Sequence, residues 1–192
     1  RYNGRFNLDQ VINKWAKAGV QTQITYSRQN LRSDPLGQVM SVTPLGTAYD
    51  ENGQVDLYPL IPDNQIGTGS ISPLADEASE FVARDQNLRT NIRANGFIEL
   101  NPIKGLTFRS SLGTVFNFNK RGIFNGAESL ERYTSGFSLA SVSNQYNRFI
   151  NWDNVLTYTK EIQDHTVTLT GISSYLQSDG DETYAEGIRQ VL

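Results

Sequence analysis

The feature that most constrains the fold is an alternation of polar and apolar side chains along residues 88–100 and again along 106–118. The even-numbered positions are apolar or small, whereas most odd-numbered positions are polar or charged. Alternation over more than about eight residues is typical of a β-strand whose two faces meet different surroundings. Pro102 and Gly105 separate the two runs and favour a tight turn. The sequence therefore predicts a β-hairpin with one apolar and one polar face.

Two weaker copies of this pattern flank the central hairpin. In both, a short polar turn separates two alternating runs, although Phe149, Val155, Ile172 and Leu176 fall on the polar parity. Each predicted strand should pair antiparallel with its neighbour in sequence. The six predicted strands lie near residues 2–11, 17–29, 88–100, 105–119, 146–159 and 166–177.

The connections between the hairpins are much longer than the turns within them. They cover about residues 30–87 and 120–145, and a tail follows from Ser178 onward. Unstructured loops beyond about 12–15 residues are uncommon in compact soluble domains, but outer-membrane barrels combine short turns on one side with long loops on the other. Ser72-Pro73, followed by Asp76 and Glu77, predicts a short helix over residues 73–84 within the first loop.

Hydropathy agrees with strands and not with helices that span a membrane. The mean hydropathy is -0.45, and the apolar runs are far shorter than the roughly 20 residues of a membrane helix. A barrel strand needs only about 9–11 residues with every second one apolar. The predicted fold class is therefore all-β: an antiparallel up-and-down transmembrane β-barrel segment of about six strands, an open fragment of a larger barrel. Because the chain starts at Arg1 without a signal peptide, we expect a piece of a longer protein.

The positions of the aromatic residues predict two belts, one at each interface of a membrane. One group lies near the predicted short turns and the other near the opposite strand ends, where amphipathic rings favour the boundary between lipid and water. The interface candidates are Trp15, Phe108 and Tyr158 near the turns, and Tyr26, Tyr2, Phe116, Phe118, Tyr146 and Tyr175 at the other end.

Composition excludes several classes of site. The chain has no cysteine and a single histidine, His165, so it offers neither a disulfide framework nor a thiolate or multi-histidine metal site. A net charge of -3 gives no reason to expect a nucleic-acid partner. Glu77 and Glu80 are interpreted as a solvated face and not as a glycosidase pair. We expect no enzyme activity, no catalytic residue, no metal and no cofactor.

The odd-numbered, mostly polar positions of the central hairpin supply the candidate site. In a barrel these positions face the lumen, where charged groups stay hydrated or form pairs. These residues could contact substrate, pack against a plug, or serve only to solvate the lumen. The lumen-facing candidates are Arg89, Arg93, Arg109, Asn91 and Asn117.

The long loops supply the remaining candidates. Tyr49 and Tyr58 lie in the first predicted extracellular loop and could contact a sugar. Between them, residues 50–56 (DENGQVD) place oxygen ligands in an order loosely similar to a calcium loop, but an Asn-Gly hairpin turn is favoured. An acidic cluster at Asp179, Asp181 and Glu182 is interpreted as a solvated loop tip.

Several segments resemble the barrel strands of SusC/RagA-like TonB-dependent transporters, in a matching order along the chain. The segments are 5–9 (RFNLD), 13–15 (NKW), 18–20 (AGV), 104–113 (KGLTFRSSLG), 151–158 (NWDNVLTY) and 165–171 (HTVTLTG). The resemblance implies that residues 1–192 are part of a 22-stranded barrel domain whose N-terminal plug is not present here.

The resemblance also implies the function and the partners. Such a transporter imports oligosaccharides or peptides across the bacterial outer membrane, surrounded by outer-membrane lipid. It works with the TonB complex through N-terminal parts that this chain lacks, and with a surface lipoprotein of SusD type. Two alternatives remain: a soluble β-sandwich that binds glycans at the cell surface, and a porin-like barrel without plug or TonB contact. Sandwich strands average about 5–6 residues, whereas the strands predicted here run about 10–14, which favours a barrel.

Overall fold

The computed structural model describes residues 1–32, 36–40, 47–59 and 71–189. Six long β-strands dominate this part of the chain, with one short helix and a single 3-10 turn. The strands are β1 (Tyr2–Asn13), β2 (Ala16–Leu31), β3 (Ala83–Ile103), β4 (Leu106–Asn125), β5 (Leu139–Ile162) and β6 (His165–Ile188), the helix α1 is Leu36–Val39, and the 3-10 turn is Ala75–Glu77.

All six strands belong to one antiparallel sheet in the order β1-β2-β3-β4-β5-β6. Each strand pairs with its neighbour in sequence, and β1 and β6 are the edges of an open sheet. Tyr2 lies opposite Tyr26 and Leu8 opposite Val20, with a register shift between Val11 and Asn13. The predicted all-β, up-and-down fold class is confirmed. The two packed sheets of a sandwich are not what the described strands form.

Several strand ends lie well beyond the predicted positions. β3 begins at Ala83, β4 continues to Asn125, β5 begins at Leu139 and β6 continues to Ile188. The alternating pattern fades in these segments, but backbone pairing does not require it. The predicted loop tip at the acidic cluster is therefore wrong, because Asp179, Asp181 and Glu182 lie within β6.

The predicted helix over residues 73–84 is also wrong. Only Ala75–Glu77 forms a 3-10 turn, and the chain enters β3 at Ala83. Ser72, which predicted the start of a helix, makes only a local hydrogen bond: the Leu74 N–H donates to Ser72 Oγ at 3.3 Å. Asp76, however, accepts a hydrogen bond from the Leu130 N–H at 2.8 Å, and the residue at the N-cap position, Leu74, provides no side-chain cap. Of the predicted loop 30–87, residues 33–35, 41–46 and 60–70 lie outside the described residues.

Short turns join the strands of each hairpin. Between β3 and β4, Gly105 has a φ of +86°, a left-handed conformation that favours glycine. Its carbonyl oxygen accepts a hydrogen bond from the Thr159 N–H at 2.7 Å. A Cβ at this position would lie 2.2 Å from the Thr159 carbonyl oxygen. The turn therefore requires glycine both for its backbone angle and for its close approach to β5.

By packing, the chain divides into two units. The strand unit comprises Arg1–Ser27, Leu88–Asn119 and Gln145–Glu182, and the loop unit comprises the described parts of Arg28–Asn87, Lys120–Asn144 and Thr183–Leu192. In the loop unit, Ile71, Ala75 and Leu130 form a small buried cluster. Within the described ranges, no helix is long and apolar enough to cross a membrane.

Candidate functional site

The strand unit has one charged face and one charge-free face across β1 to β4. Residues 2–13, 16–26, 88–103 and 106–118 contain seven charged side chains, and all seven occupy odd positions. Side-chain contacts between neighbouring strands join odd positions to odd positions, which puts these residues on a single face of the sheet. They are Arg5, Asp9, Lys17, Arg89, Arg93, Glu99 and Arg109.

Glu99 is the centre of the main cluster on the charged face. Its carboxylate lies 2.9 Å from Lys17 Nζ and 3.4 Å from the Arg109 guanidinium, and only 14% of its side chain is exposed. The Arg109 guanidinium also lies 4.3 Å from the centre of the Phe97 ring, a cation–π contact. Three neighbouring strands thus share one network, because β2, β3 and β4 contribute Lys17, Glu99 and Arg109 respectively.

Two further polar networks cover the same face. The Asn91 side-chain amide donates to Asn117 Oδ1, and Arg93 Nε donates to Asn91 Oδ1 at 3.1 Å. Four of the five predicted lumen-facing residues are therefore found in contacts on this face, and Arg89 is exposed on the same parity. On β1 and β2, the Arg5 guanidinium donates to Gln23 at 3.2 Å.

A hollow of about 230 Å³ opens on the charged face between β2, β3, β4 and β5. Guanidinium, carboxylate, amide and ring groups surround it, supplied by Arg109, Asp153, Asn95, Asn151 and Phe97. Such a surface can hydrogen-bond and stack against a polar solute or another polar surface. The hollow includes no histidine, cysteine or serine–histidine pair that would suggest chemistry on a bound molecule.

The two loop tyrosines occupy different environments. Tyr58 is half-buried and packs against the cluster of Ile71, Ala75 and Leu130. Tyr49 is 55% exposed and forms an isolated β-bridge with Val55. Packing therefore holds Tyr58 in place, while the Tyr49 ring remains accessible.

The segment between these tyrosines is a hairpin turn. Asp50 Oδ1 accepts hydrogen bonds from the Asn52 and Gln54 N–H groups, each at 2.8 Å. Gly53 has a φ of +75°, as such a turn requires. Among the described residues, no group of three or more histidine, cysteine, aspartate or glutamate side chains could hold a metal ion.

Aromatic rings form cross-strand pairs on the charge-free face. The Tyr2 and Tyr26 rings stack with centroids 6.3 Å apart, and the Phe118 and Tyr146 centroids are 5.1 Å apart. Trp152 Nε1 donates to Ser110 Oγ at 2.9 Å. Of the other interface candidates, Trp15 and Tyr158 are exposed and Phe108 is half-buried; all three lie in or near the short turns.

Two ion pairs could not be predicted from the sequence. The Arg148 guanidinium donates to Asp179 Oδ2 at 2.6 and 3.1 Å in the strand unit, so β5 and β6 carry an ion pair on the face of Trp152, the face that is free of charge across β1 to β4. In the loop unit, Arg121 donates to both carboxylate oxygens of Asp85, at 3.0 and 2.6 Å. This interaction raises the pKa of the Arg121 guanidinium. Sequence parity could indicate which residues share a face, but only the strand register identifies these partners.

Comparison with solved structures shows the same arrangement of strands. No protein-family model and no curated protein matches the chain. The structure is similar to a chain of the RagAB peptide importer in the closed-closed state, with a TM-score of 0.73 and 18% identity over 98% of this chain. It is also similar to a chain of the RagAB peptide transporter, with a TM-score of 0.74 and 18% identity over 98% of this chain. At this identity the similarity shows the fold alone, and the chain spans 21% of the length of each matched chain.

Proposed function

We propose that this chain is part of the barrel of a TonB-dependent transporter of SusC/RagA type that imports peptides or glycans across the bacterial outer membrane. The observation that carries the proposal is the separation of charge in the parts of β1 to β4 that belong to the strand unit, where all seven charged side chains lie on one face. A sheet with a polar lumen on one side and lipid on the other requires this separation.

The energetic reason is the cost of placing charge in hydrocarbon. An arginine or lysine on the lipid face of a barrel costs about 2–4 kcal/mol at the bilayer midplane. The charge-free face instead exposes apolar side chains, with Ile98, Leu112 and Leu156 each about half exposed. In water such a surface would be an aggregation site, but against acyl chains it is stable. The aromatic pairs Tyr2–Tyr26 and Phe118–Tyr146 fit the interfacial belts of such a barrel.

The charged face is the surface that we assign to the lumen. Arg89, Arg93, Arg109, Asn91 and Asn117 would line it and contact substrate or the plug. The solved structures with the same strand arrangement carry the name peptide importer, which supports an import role. The plug, the contact with the TonB complex and the lipoprotein partner of SusD type belong to this proposal, because the chain covers 21% of the matched chains. We propose no catalytic role and no nucleic-acid partner.

Energy-dependent uptake by the full-length protein tests the function. Cells that express the full-length transporter would receive isotope-labelled peptides or oligosaccharides, and uptake would be measured before and after a protonophore dissipates the proton gradient. We expect uptake to stop when the gradient collapses and to be absent in a strain that lacks the gene. Recovery of the protein from the outer-membrane fraction in detergent is part of the expected result.

The possible results separate the alternatives. Uptake that continues without the proton gradient would identify a passive porin-like barrel. A full-length protein that stays in solution without detergent and binds glycans would instead support a surface-binding module. For the charged face, Arg93→Gln should lower uptake without lowering the amount of protein in the membrane. Arg5→Gln, the same change at another arginine of this face, serves as the matched control.

A further inference from the structure

The face of the strand unit that carries no charge across β1 to β4, kept here as the charge-free face, contains a hollow of about 480 Å³ that spans β2, β3 and β4. Small residues and larger aliphatic residues both line it, and its lining includes no charged side chain. Its apolar lining includes Ala18, Val20, Ala94, Gly96, Ile98 and Leu112.

Gly96 keeps this hollow open without being required by the backbone. A Cβ at Gly96 would contact only the Gly19 carbonyl oxygen, at an ordinary 3.8 Å, and the Gly96 φ is not in the left-handed region. The contrast is Gly105, where a Cβ would collide with the Thr159 carbonyl oxygen. Glycine weakens a strand and often marks a close approach by a ligand or another chain. At Gly96 the missing side chain leaves space on the charge-free face.

The surroundings of the hollow indicate what fills it. The apolar surface extends well past the hollow, to Phe6 and Leu8 on β1 and to Leu156 and Leu169 on β5 and β6, all about half exposed or more. A protein partner seated in the hollow would leave most of this surface uncovered, whereas lipid covers all of it. A flexible acyl chain can also follow an open, shallow depression whose lining is mostly apolar and carries no charge.

We infer that the hollow beside Gly96 binds an acyl chain of a membrane phospholipid more tightly than the rest of the charge-free face does. This inference rests on the proposed function, since it requires that the charge-free face meets the hydrocarbon of the membrane. The side chains of Val20, Ile98 and Leu112 flank the bound chain, and the floor of small residues lets it approach the backbone.

Photo-crosslinking of the full-length protein tests the site. The protein would be reconstituted in phosphatidylethanolamine vesicles that contain a phospholipid with a diazirine in its acyl chain. After irradiation, mass spectrometry would map the adducts. One additional buried methylene changes partitioning by about fourfold. We therefore expect adduct yields per residue in segment 94–114 to exceed those around Leu156 and Leu169 by about fourfold or more.

A filling variant and a matched control make the test specific. Gly96→Leu should reduce the adducts in segment 94–114 to the yield of the surrounding face, and the milder Gly96→Ala should reduce them partly. The control is Gly171→Leu on β6, a glycine of the same face where a Cβ would meet no atom within 4 Å. This change should leave the adducts in segment 94–114 unaltered.

Three outcomes would overturn the inference. Equal adduct yields over the whole charge-free face would show ordinary lipid contact without a site. Disulfide-linked dimers of Gly96→Cys in intact membranes would show that a second copy occupies the hollow. An absence of adducts at Leu156 and Leu169 as well as at the hollow would overturn the proposed function itself, and this distinguishes the two failures.

Discussion

The strand unit exposes many of its apolar side chains, whereas the loop unit buries some of its apolar side chains in a small core. In the strand unit, Leu112 is 49% exposed although it lies in the middle of a long, well-paired strand. In the loop unit, Ile71 and Ala75 are completely buried although little regular secondary structure surrounds them. A segment with few strands or helices has thus formed a small core, while the extensive sheet has left its apolar face open.

Given the proposed function, the difference teaches that burial follows the solvent that each unit meets and not its degree of order. A loop in water gains free energy when it removes apolar area, at about 25 cal/mol per Å². A strand face that meets hydrocarbon gains nothing comparable by folding inward, because lipid is itself apolar. Under the proposed function, the loop unit folds by the rules of soluble proteins and the strand unit by those of the bilayer.

The largest loss in the free energy of unfolding should come from a charge placed on the charge-free face. In the full-length protein folded into vesicles, Leu112→Arg should lower the free energy of unfolding by about 2–4 kcal/mol. Ser111→Arg, one position away on the charged face, should cost much less. Urea titrations followed by tryptophan fluorescence would measure both variants. Equal losses would show that the two faces do not meet different solvents.

A cavity in the loop unit should have a smaller and strictly local effect. Leu130→Ala removes most of a buried side chain from the cluster with Ile71 and Ala75, which should cost about 2 kcal/mol. Hydrogen-exchange mass spectrometry should show protection in segments 71–78 and 126–133 falling by about thirtyfold. Protection that also falls in residues 88–118 would contradict the independence of the two solvent regimes.

The hydrogen bond that joins two segments of the loop unit should contribute less again. Asp76 Oδ1 accepts from the Leu130 N–H at 2.8 Å. Asp76→Ala should therefore weaken the local structure by about 1 kcal/mol. Asp76→Asn keeps an acceptor oxygen and should restore most of the protection in the same hydrogen-exchange experiment. If both variants behave alike, the hydrogen bond does not stabilise the segment.

The smallest effect should come from the ion pair of Arg121 and Asp85. Although it is bidentate, 45% of the Arg121 side chain is exposed, so Arg121→Gln should cost less than about 1 kcal/mol. The loss should shrink further as salt is raised, because ions screen exposed charges. Urea midpoints at low and high ionic strength would check this. A loss that persists at high salt would mean that Arg121 acts through packing and not through charge.

The sequence predicted the strands where the two faces differ and failed where they do not. Alternation identified the six strands, their neighbour pairing and the charged face around Arg93 and Arg109. Near Asp179 and Asp181 both faces of β6 carry polar side chains, so no period was visible and the strand was assigned to a loop. Under the proposed function, a strand that has left the hydrocarbon meets water on both sides and loses the pattern, but its backbone continues to pair.

Cross-strand partners could not be predicted from a single sequence, for a different reason. The pairing of Arg148 with Asp179 and of Lys17 with Glu99 depends on strand register. Turn geometry and bulges set the register, and the shift between Val11 and Asn13 shows how one residue can change it. The Asn91–Asn117 contact was within reach, because both residues were already assigned to the same face.

The two-residue turns also determine the order in which the sheet can assemble. Closing a short loop costs little entropy, and the cost rises with the logarithm of loop length. The β3–β4 hairpin, held at Gly105, can therefore zip from its turn within about 1–10 μs. Joining β2 to β3 must instead close the long connection 32–82. Loop-closure entropy therefore favours an order in which the three hairpins form first and then dock to one another.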